Sequence, residues 1–237
     1  MGRWPLAANP AGRDDRSVTD RHAAPPPVTR FDARETHWDT IYERGEPDEL
    51  RWHEPVPSTL PLVLAHSARL DPVIDIGGGA SRLSNQLLVR GYLDLTVLDL
   101  SETALIRGRH VMGCNAGAVE WLHADATRFT PYRRWCVWHD RAVFHFLVDE
   151  ADRDGYRRAA AAGVAPGGVI VVATFGPDGP ESCAGLPVCR YDAPSLAAEF
   201  ADDFEPLVTT SLEPSSAAGD QRPYVAAVLR RRGESAG

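Results

Sequence analysis

Residues 73–81 carry the sequence VIDIGGGAS, a short apolar run that ends in three consecutive glycines. The run predicts a buried strand, and the pattern over 81–90 predicts a helix directly after it. A glycine turn between a strand and a helix lets the backbone approach a ligand and presents free N–H groups at the helix N-terminus. Such a turn also occurs where a helix merely packs on a strand, so Gly77, Gly78 and Gly79 need further support as a ligand site.

Two acidic residues follow the next two predicted strands and give that support. Asp99 ends the strand predicted over 95–98, a position from which a carboxylate reaches both hydroxyls of a ribose. Asp125 follows the strand predicted over 119–122, where its side chain can accept a hydrogen bond from an adenine amino group. Each carboxylate alone is more often a surface residue or a helix cap, but the three strand ends together indicate a bound nucleoside.

The residue three places after the last glycine separates two classes of nucleoside-binding protein. A dinucleotide fold needs the pattern Gly-x-Gly-x-x-Gly, whose third glycine brings the helix close to the strand. Arg82 stands at that third position, which disfavours an NAD-dependent oxidoreductase. A non-catalytic module that binds an adenosyl nucleotide stays open as a further alternative, because a fold does not fix a function.

Four successive motifs resemble those of the class I S-adenosylmethionine-dependent methyltransferases. They are DIGGGAS at 75–81, VLDLS at 97–101, ADA at 124–126 and PGG at 166–168. The resemblance implies an α/β, Rossmann-like three-layer sandwich whose seven-stranded, mostly parallel sheet has an antiparallel last strand. It also implies S-adenosylmethionine across the ends of the first strands, held by these residues: Asp75, Gly77, Gly78, Gly79, Asp99, Leu100, Asp125 and Ala126, with Trp52 and His139.

The start of the predicted fold resembles one bacterial branch of this class. His37-Trp38-Asp39 with Tyr42, and Trp52 further on, resemble the opening of enzymes related to eukaryotic methyltransferase-like proteins. Those proteins act on lysines of elongation factor 1A and citrate synthase. The resemblance does not fix the acceptor, so a small molecule and a protein both stay open.

The segment WHDRAVFHFL at 138–147 follows the fourth predicted strand, which in this class borders the transferred methyl group. His145 is a candidate general base for a hydroxyl acceptor, and Asp140 is a candidate partner for an amino group. The alternatives are a core histidine for His145 and a helix cap for Asp140. His139, Asp140 and His145 could also be considered as metal ligands, but the sequence offers no fourth ligand at a suitable spacing, so we expect no bound metal.

Aromatic side chains before the glycine turn have two interpretations. Trp38 and Tyr42 have helical spacing, which favours an apolar stripe that packs on the domain. Aromatic faces also suit a sulfonium cation, so a lid over the site is the alternative, and Trp52 fits either role. The long loop over 174–187 is predicted to shape the substrate pocket.

Composition and charge argue against several functions. The 237 residues are 43% hydrophobic and 24% charged, as in a soluble globular protein. The formal net charge of −8 disfavours binding to nucleic acid or to an anionic membrane. The sequence contains no apolar run of bilayer length and its four cysteines form no Cys-x-x-Cys pair, so we expect a reduced, cytoplasmic protein.

The chain divides into three predicted segments. Residues 1–30 are rich in proline, alanine and arginine and predict a disordered tail. Residues 31–72 predict a helical cap, and residues 73–232 predict the S-adenosylmethionine-binding domain. The sequence does not indicate an oligomeric state. The combined expectation is a methyltransferase that uses S-adenosylmethionine.

Overall fold

The computed structural model describes residues 30–213 and 223–233. The tail expected over 1–30 lies outside the described residues apart from Arg30, at which the first helix begins. The helices of the described part are α1 (Arg30–Arg44), α2 (Leu60–Ala65), α3 (Leu83–Leu88), α4 (Glu102–Met112), α5 (Glu150–Gly163) and α6 (Ala193–Ala198). Its strands are β1 (Val73–Ile76), β2 (Leu95–Asp99), β3 (Val119–His123), β4 (Trp135–Arg141), β5 (Val164–Phe175), β6 (Ser182–Cys183), β7 (Leu186–Pro187), β8 (Phe204–Leu212) and β9 (Tyr224–Arg231).

Seven strands form one sheet in the order β3-β2-β1-β4-β5-β9-β8. The first five strands of this order are parallel, whereas β9 is antiparallel to both β5 and β8. The predicted seven-stranded sheet with an antiparallel last strand is therefore confirmed. Strand β1 lies between β2 on one side and β4 on the other, so the strand order reverses direction at β1. In open α/β sheets, ligands bind beyond the carboxyl ends of the strands at such a point of reversal.

The two faces of the sheet carry separate apolar cores because side chains alternate along each strand. On β4, Val137 joins a cluster with side chains of α2, α3 and α4. The next residue, Trp138, joins the cluster that contains side chains of α5 and α6. The fold is thus the expected three-layer sandwich. None of the helices within 30–213 and 223–233 is long and apolar enough to cross a membrane.

The fifth strand, β5, extends beyond its buried apolar part at 169–175. It begins at Val164, so Pro166-Gly167-Gly168 lies inside the strand and not before it. The added residues pair Val164 with Trp135, and a register shift between Trp135 and Val137 accommodates them. The proline and glycines that normally end a strand are tolerated here because they lie at an irregular point of the ladder.

Candidate active site

A cavity lies at the carboxyl ends of β1 to β4 and brings together most of the predicted cofactor residues. Its lining includes Trp52, Asp75, Gly77, Asp99, Leu100, Asp125, Ala126 and His139. Gly78 and Gly79 belong to the turn beside it. The cavity therefore lies at the edge of the sheet where the sequence motifs predict a ligand.

The glycine turn is built so tightly that side chains do not fit. Gly77 has a φ of +63°, and a Cβ atom there would lie 2.1 Å from Cγ2 of Val143. Gly79 has a φ of +20°, and a Cβ atom there would lie 2.7 Å from a carboxylate oxygen of Asp99 and 2.8 Å from Cβ of Ala104. These positions need glycine for conformation and for space, as expected of a backbone that closely approaches a ligand.

Asp99 is held by backbone N–H groups and is nearly excluded from water. Its carboxylate accepts hydrogen bonds from the amide of Ser101, at 2.8 Å, and from the amide of Gly79. Burial, with the nearby charge of Asp75 as a smaller cause, raises the pKa of Asp99 to about 7. The carboxylate therefore changes charge near neutral pH, at the end of the strand where ribose hydroxyls are expected.

Asp125 has a partner that sequence reasoning missed. One of its oxygens accepts hydrogen bonds from the amide and hydroxyl of Thr127. The other lies 2.6 Å from the guanidinium of Arg34 on α1, which also lines the cavity. The two residues are 91 positions apart, and no local pattern indicates the pairing.

Further polar contacts hold helix α1 over the part of the cavity that contains Asp99. One carboxylate oxygen of Asp39 accepts hydrogen bonds from the hydroxyl of Ser101, at 2.6 Å, and from the amide of Thr103, at 3.0 Å. Glu35 lies 2.8 Å from His123, at the end of β3. Because these partners lie at the end of β3 and the beginning of α4, α1 covers the same edge of the sheet that carries Asp99.

Aromatic side chains form one wall of the cavity. Trp38 packs edge-to-face on Trp52, with ring centroids 6.0 Å apart, and on Phe146, at 5.0 Å. Trp38 and Tyr42 line the cavity, and Tyr42 also packs beside Ala80. The apolar stripe on α1 and the cavity wall are thus formed by the same side chains, and the contact of these rings with a sulfonium stays a prediction.

Arg141 and the hairpin β6–β7 complete this wall and were not predicted. The guanidinium of Arg141 donates a hydrogen bond to the carbonyl of Trp52, at 3.0 Å, and lies 3.6 Å from the buried carboxylate of Glu54. The hairpin interrupts the loop expected over 174–187, and Cys183 and Leu186 from it line the cavity. Cys114, Cys136 and Cys189 form no disulfide within the described part of the chain.

Asp140 is positioned on the other face of the sheet, away from the cavity lining. It is fully buried, and its carboxylate accepts hydrogen bonds from the hydroxyl of Tyr156, at 2.6 Å, and from the amides of Val143 and Phe144. Burial raises its pKa to about 6. A catalytic Asp140 does not fit these contacts, which match the alternative of a cap on the turn that follows β4.

His145 is also fully buried and is not among the cavity-lining residues. Its ring lies 4.5 Å from that of Phe146 and 4.4 Å from that of Phe175, measured between centroids, and its Nδ1 accepts a hydrogen bond from the amide of Phe175. The short helical turn over 144–146 directs Phe146 to the cavity and His145 into the core. The contacts favour the core histidine over the general base.

We therefore expect His145→Ala to act on stability. Removing a buried ring is expected to cost about 2–4 kcal/mol in the free energy of unfolding, whereas affinity for S-adenosylhomocysteine stays within twofold of the parent. Chemical denaturation and calorimetry measure both quantities. His110→Ala, at an exposed site near the end of α4, is the control. A loss of turnover of 100-fold or more without a loss of stability would restore the catalytic role.

Within 30–213 and 223–233, no group of three or more histidine, cysteine, aspartate or glutamate side chains is arranged to hold a metal ion. His139, one member of the set considered from sequence, instead bonds to Asp75 and Thr59.

Comparisons with known proteins agree with the fold. No protein-family profile matches the chain. By sequence it is similar to the methyltransferase srdJ of Neurospora crassa, with 27% identity over 177 residues that cover 72% of this chain and 73% of that protein.

Two solved structures show the same fold at low identity. One is a 1,6-didemethyltoxoflavin N1-methyltransferase of Burkholderia thailandensis, with 1,6-didemethyltoxoflavin and S-adenosylhomocysteine bound; it has 19% identity and a TM-score of 0.66, covering 84% of this chain and 88% of that chain. The other is the N-methyltransferase NodS of Bradyrhizobium japonicum with S-adenosylhomocysteine; it has 16% identity and a TM-score of 0.62, covering 81% and 97%. By its sheet order and glycine turn the chain has the fold of the class I S-adenosylmethionine-dependent methyltransferases, and its similarity in sequence is to a methyltransferase.

Proposed function

We propose that this protein transfers the methyl group of S-adenosylmethionine to a small molecule bound against the aromatic wall of Trp38, Trp52 and Phe146. The observation that carries the proposal is one cavity lined by two unlike groups of residues. The glycine turn with Asp75, Asp99 and Asp125 forms what we call the cofactor side, and the rings of Trp38, Trp52 and Phe146 form what we call the acceptor side.

The cofactor side matches the chemical groups of an adenosyl compound. Asp99 offers its carboxylate to the ribose hydroxyls, and Asp125 lies where the adenine amino group is expected. The turn needs glycine because a Cβ atom at Gly77 would clash with Val143 and one at Gly79 would clash with Asp99 and Ala104. S-adenosylmethionine supplies a methyl group already activated on a sulfonium, so the protein's main task is to align donor and acceptor and to exclude water.

The enclosure of the acceptor side favours a small molecule over a protein side chain. His37 on α1 bonds through Nε2 to the carbonyl of Ala184, at 3.0 Å, so α1 and the hairpin meet above the cavity. Apolar and aromatic residues from both elements line it. Such a site binds flat, largely apolar molecules well, and a lysine on a protein surface would have to enter past this contact.

The test is transfer of a labelled methyl group in a cell lysate. Purified protein, methyl-labelled S-adenosylmethionine and lysate are incubated, and label is counted separately in the low-mass and protein fractions. We expect label in the low-mass fraction, and none with the Asp99→Ala variant as control. Label confined to protein would overturn the small-molecule acceptor. Binding of NAD in preference to S-adenosylhomocysteine would overturn the methyltransferase assignment.

A further inference from the structure

Three buried polar side chains form a chain from β1 through β4 to the start of α2. Oδ1 of Asp75 lies 2.7 Å from Nδ1 of His139, and Nε2 of His139 lies 2.8 Å from Oγ1 of Thr59. Their exposed fractions are 3%, 2% and 0%. Asp75 and His139 are register partners on neighbouring strands, which places both side chains on the same face of the sheet.

Both nitrogens of the His139 ring are used within this chain. The ring lines the cavity, but both of its nitrogens already have hydrogen-bond partners within the protein. The second oxygen of Asp75 accepts a hydrogen bond from the hydroxyl of Ser81, at 2.8 Å. His139 and Ser81 thus fix the orientation of a carboxylate that lies at the cavity wall.

The glycine turn separates this carboxylate from the one expected to bind ribose. A Cβ atom on Gly78 would lie 2.6 Å from Oδ2 of Asp75, whereas a Cβ atom on Gly79 would meet Asp99. Asp99 and Asp125 account for the ribose and the adenine of an adenosyl compound. Asp75 then faces the part of the ligand that remains, which is the amino-acid end with its ammonium group.

We propose that His139 and Thr59 are positioning residues that hold the Asp75 carboxylate for the ammonium group of S-adenosylmethionine. The inference rests on the proposed function, because it assumes an adenosyl compound in this cavity. Thr59 orients the imidazole, and the imidazole orients the carboxylate. A fixed buried carboxylate binds a cation without an ordering cost at the moment of binding.

A pair of ligands distinguishes this role from a general contribution to folding. S-adenosylhomocysteine contains the amino-acid end, and 5′-methylthioadenosine shares the nucleoside but lacks that end. Thr59→Val removes only the hydroxyl, and we expect it to weaken binding of S-adenosylhomocysteine about threefold to tenfold, the range for one lost hydrogen bond. Affinity for 5′-methylthioadenosine should stay within twofold.

Two variants of the histidine provide a rescue test. In His139→Asn the amide nitrogen lies close to the position of Nδ1 and can still donate to Asp75, whereas in His139→Gln the amide group lies nearer to the position of Nε2. We expect His139→Gln to lose at least ten times more affinity for S-adenosylhomocysteine than for 5′-methylthioadenosine. His139→Asn should recover most of that loss.

Tyr92→Phe is the matched control. It removes a hydroxyl that lies 2.8 Å from Oγ of Ser67, just beyond α2, without lining the cavity. Both affinities should be unchanged. Equal losses for both ligands in the Thr59 and His139 variants, or no loss for either, would overturn the positioning role alone. Failure of the parent protein to bind either ligand would overturn the proposed function and this inference with it.

Discussion

Gly79→Ala is expected to weaken binding of S-adenosylhomocysteine roughly 100-fold, equivalent to about 3 kcal/mol. The added methyl group would lie 2.7 Å from the carboxylate of Asp99 and 2.8 Å from Cβ of Ala104. Ala104 is fixed on α4, so the carboxylate has to move away from the position where it meets the ribose. The amide of Gly79, which donates to Asp99, would be displaced as well.

The control for this variant adds the same atom at a glycine without neighbours. A Cβ atom on Gly117 meets nothing within 4 Å, so Gly117→Ala should keep the affinity of the parent. Thermal unfolding of both variants is measured alongside titration calorimetry, because the φ of +20° at Gly79 adds backbone strain for alanine. A folded Gly79→Ala protein with unchanged affinity would show that the turn does not approach the ligand.

The sequence predicts the cofactor side of the cavity well because that side is built from local patterns. A buried strand, a glycine turn and a helix follow one another over 73–88, and each later carboxylate stands at the end of its own strand. Parallel strands bring their carboxyl ends to one edge, so Asp75, Asp99 and Asp125 converge without long-range information.

The acceptor side was predicted less well because it depends on side-chain direction and on distant pairs. On β4, the side chain of His139 faces the cavity and that of Asp140 faces the core on the other side of the sheet. Both faces of this strand are buried, so its sequence has no alternation of apolar and polar residues that would show which side chain faces the cavity. His145 lies one residue from Phe146, and the short turn over 144–146 decides which of them reaches the cavity. No pattern in the sequence distinguishes the two.

Contacts between the N-terminal segment and the sheet were not predictable from spacing. Arg34 pairs with Asp125, Arg141 with the carbonyl of Trp52, and Thr59 with His139, over separations of 91, 89 and 80 residues. From the sequence, Trp38 and Tyr42 favoured an apolar stripe on a helix, with a lid over the site as the alternative. The hydrogen bonds of Asp39 to Ser101 and Thr103 depend on how α1 packs against the sheet, which spacing in the sequence does not show.

Asp99 leads to an expectation about pH that separates ligand binding from folding. Ribose hydroxyls donate hydrogen bonds, so they need the ionised carboxylate, and the pKa of Asp99 is raised to about 7 by burial. Affinity for S-adenosylhomocysteine should therefore fall as pH is lowered through 7, approaching tenfold per pH unit below it, and should be nearly constant above pH 8. Binding at pH 6 to 7 should release protons, which calorimetry in buffers of different ionisation enthalpy detects.

The stability contributed by Asp99 has the opposite dependence on pH. Its pKa is higher in the folded protein than the ordinary value of 3.8, so the folded state holds the proton more tightly than the unfolded state. Stability from this group is fully present below about pH 4 and is lost as pH rises through 7.

Asp99→Asn cannot ionise, and it should be more stable than the parent at pH 8 while binding the ligand about 10- to 100-fold more weakly there. Its affinity should no longer change through pH 7. An inflection near pH 7 that persists in Asp99→Asn would assign the titration to another group, and equal affinity of parent and variant at pH 8 would remove Asp99 from the ribose site.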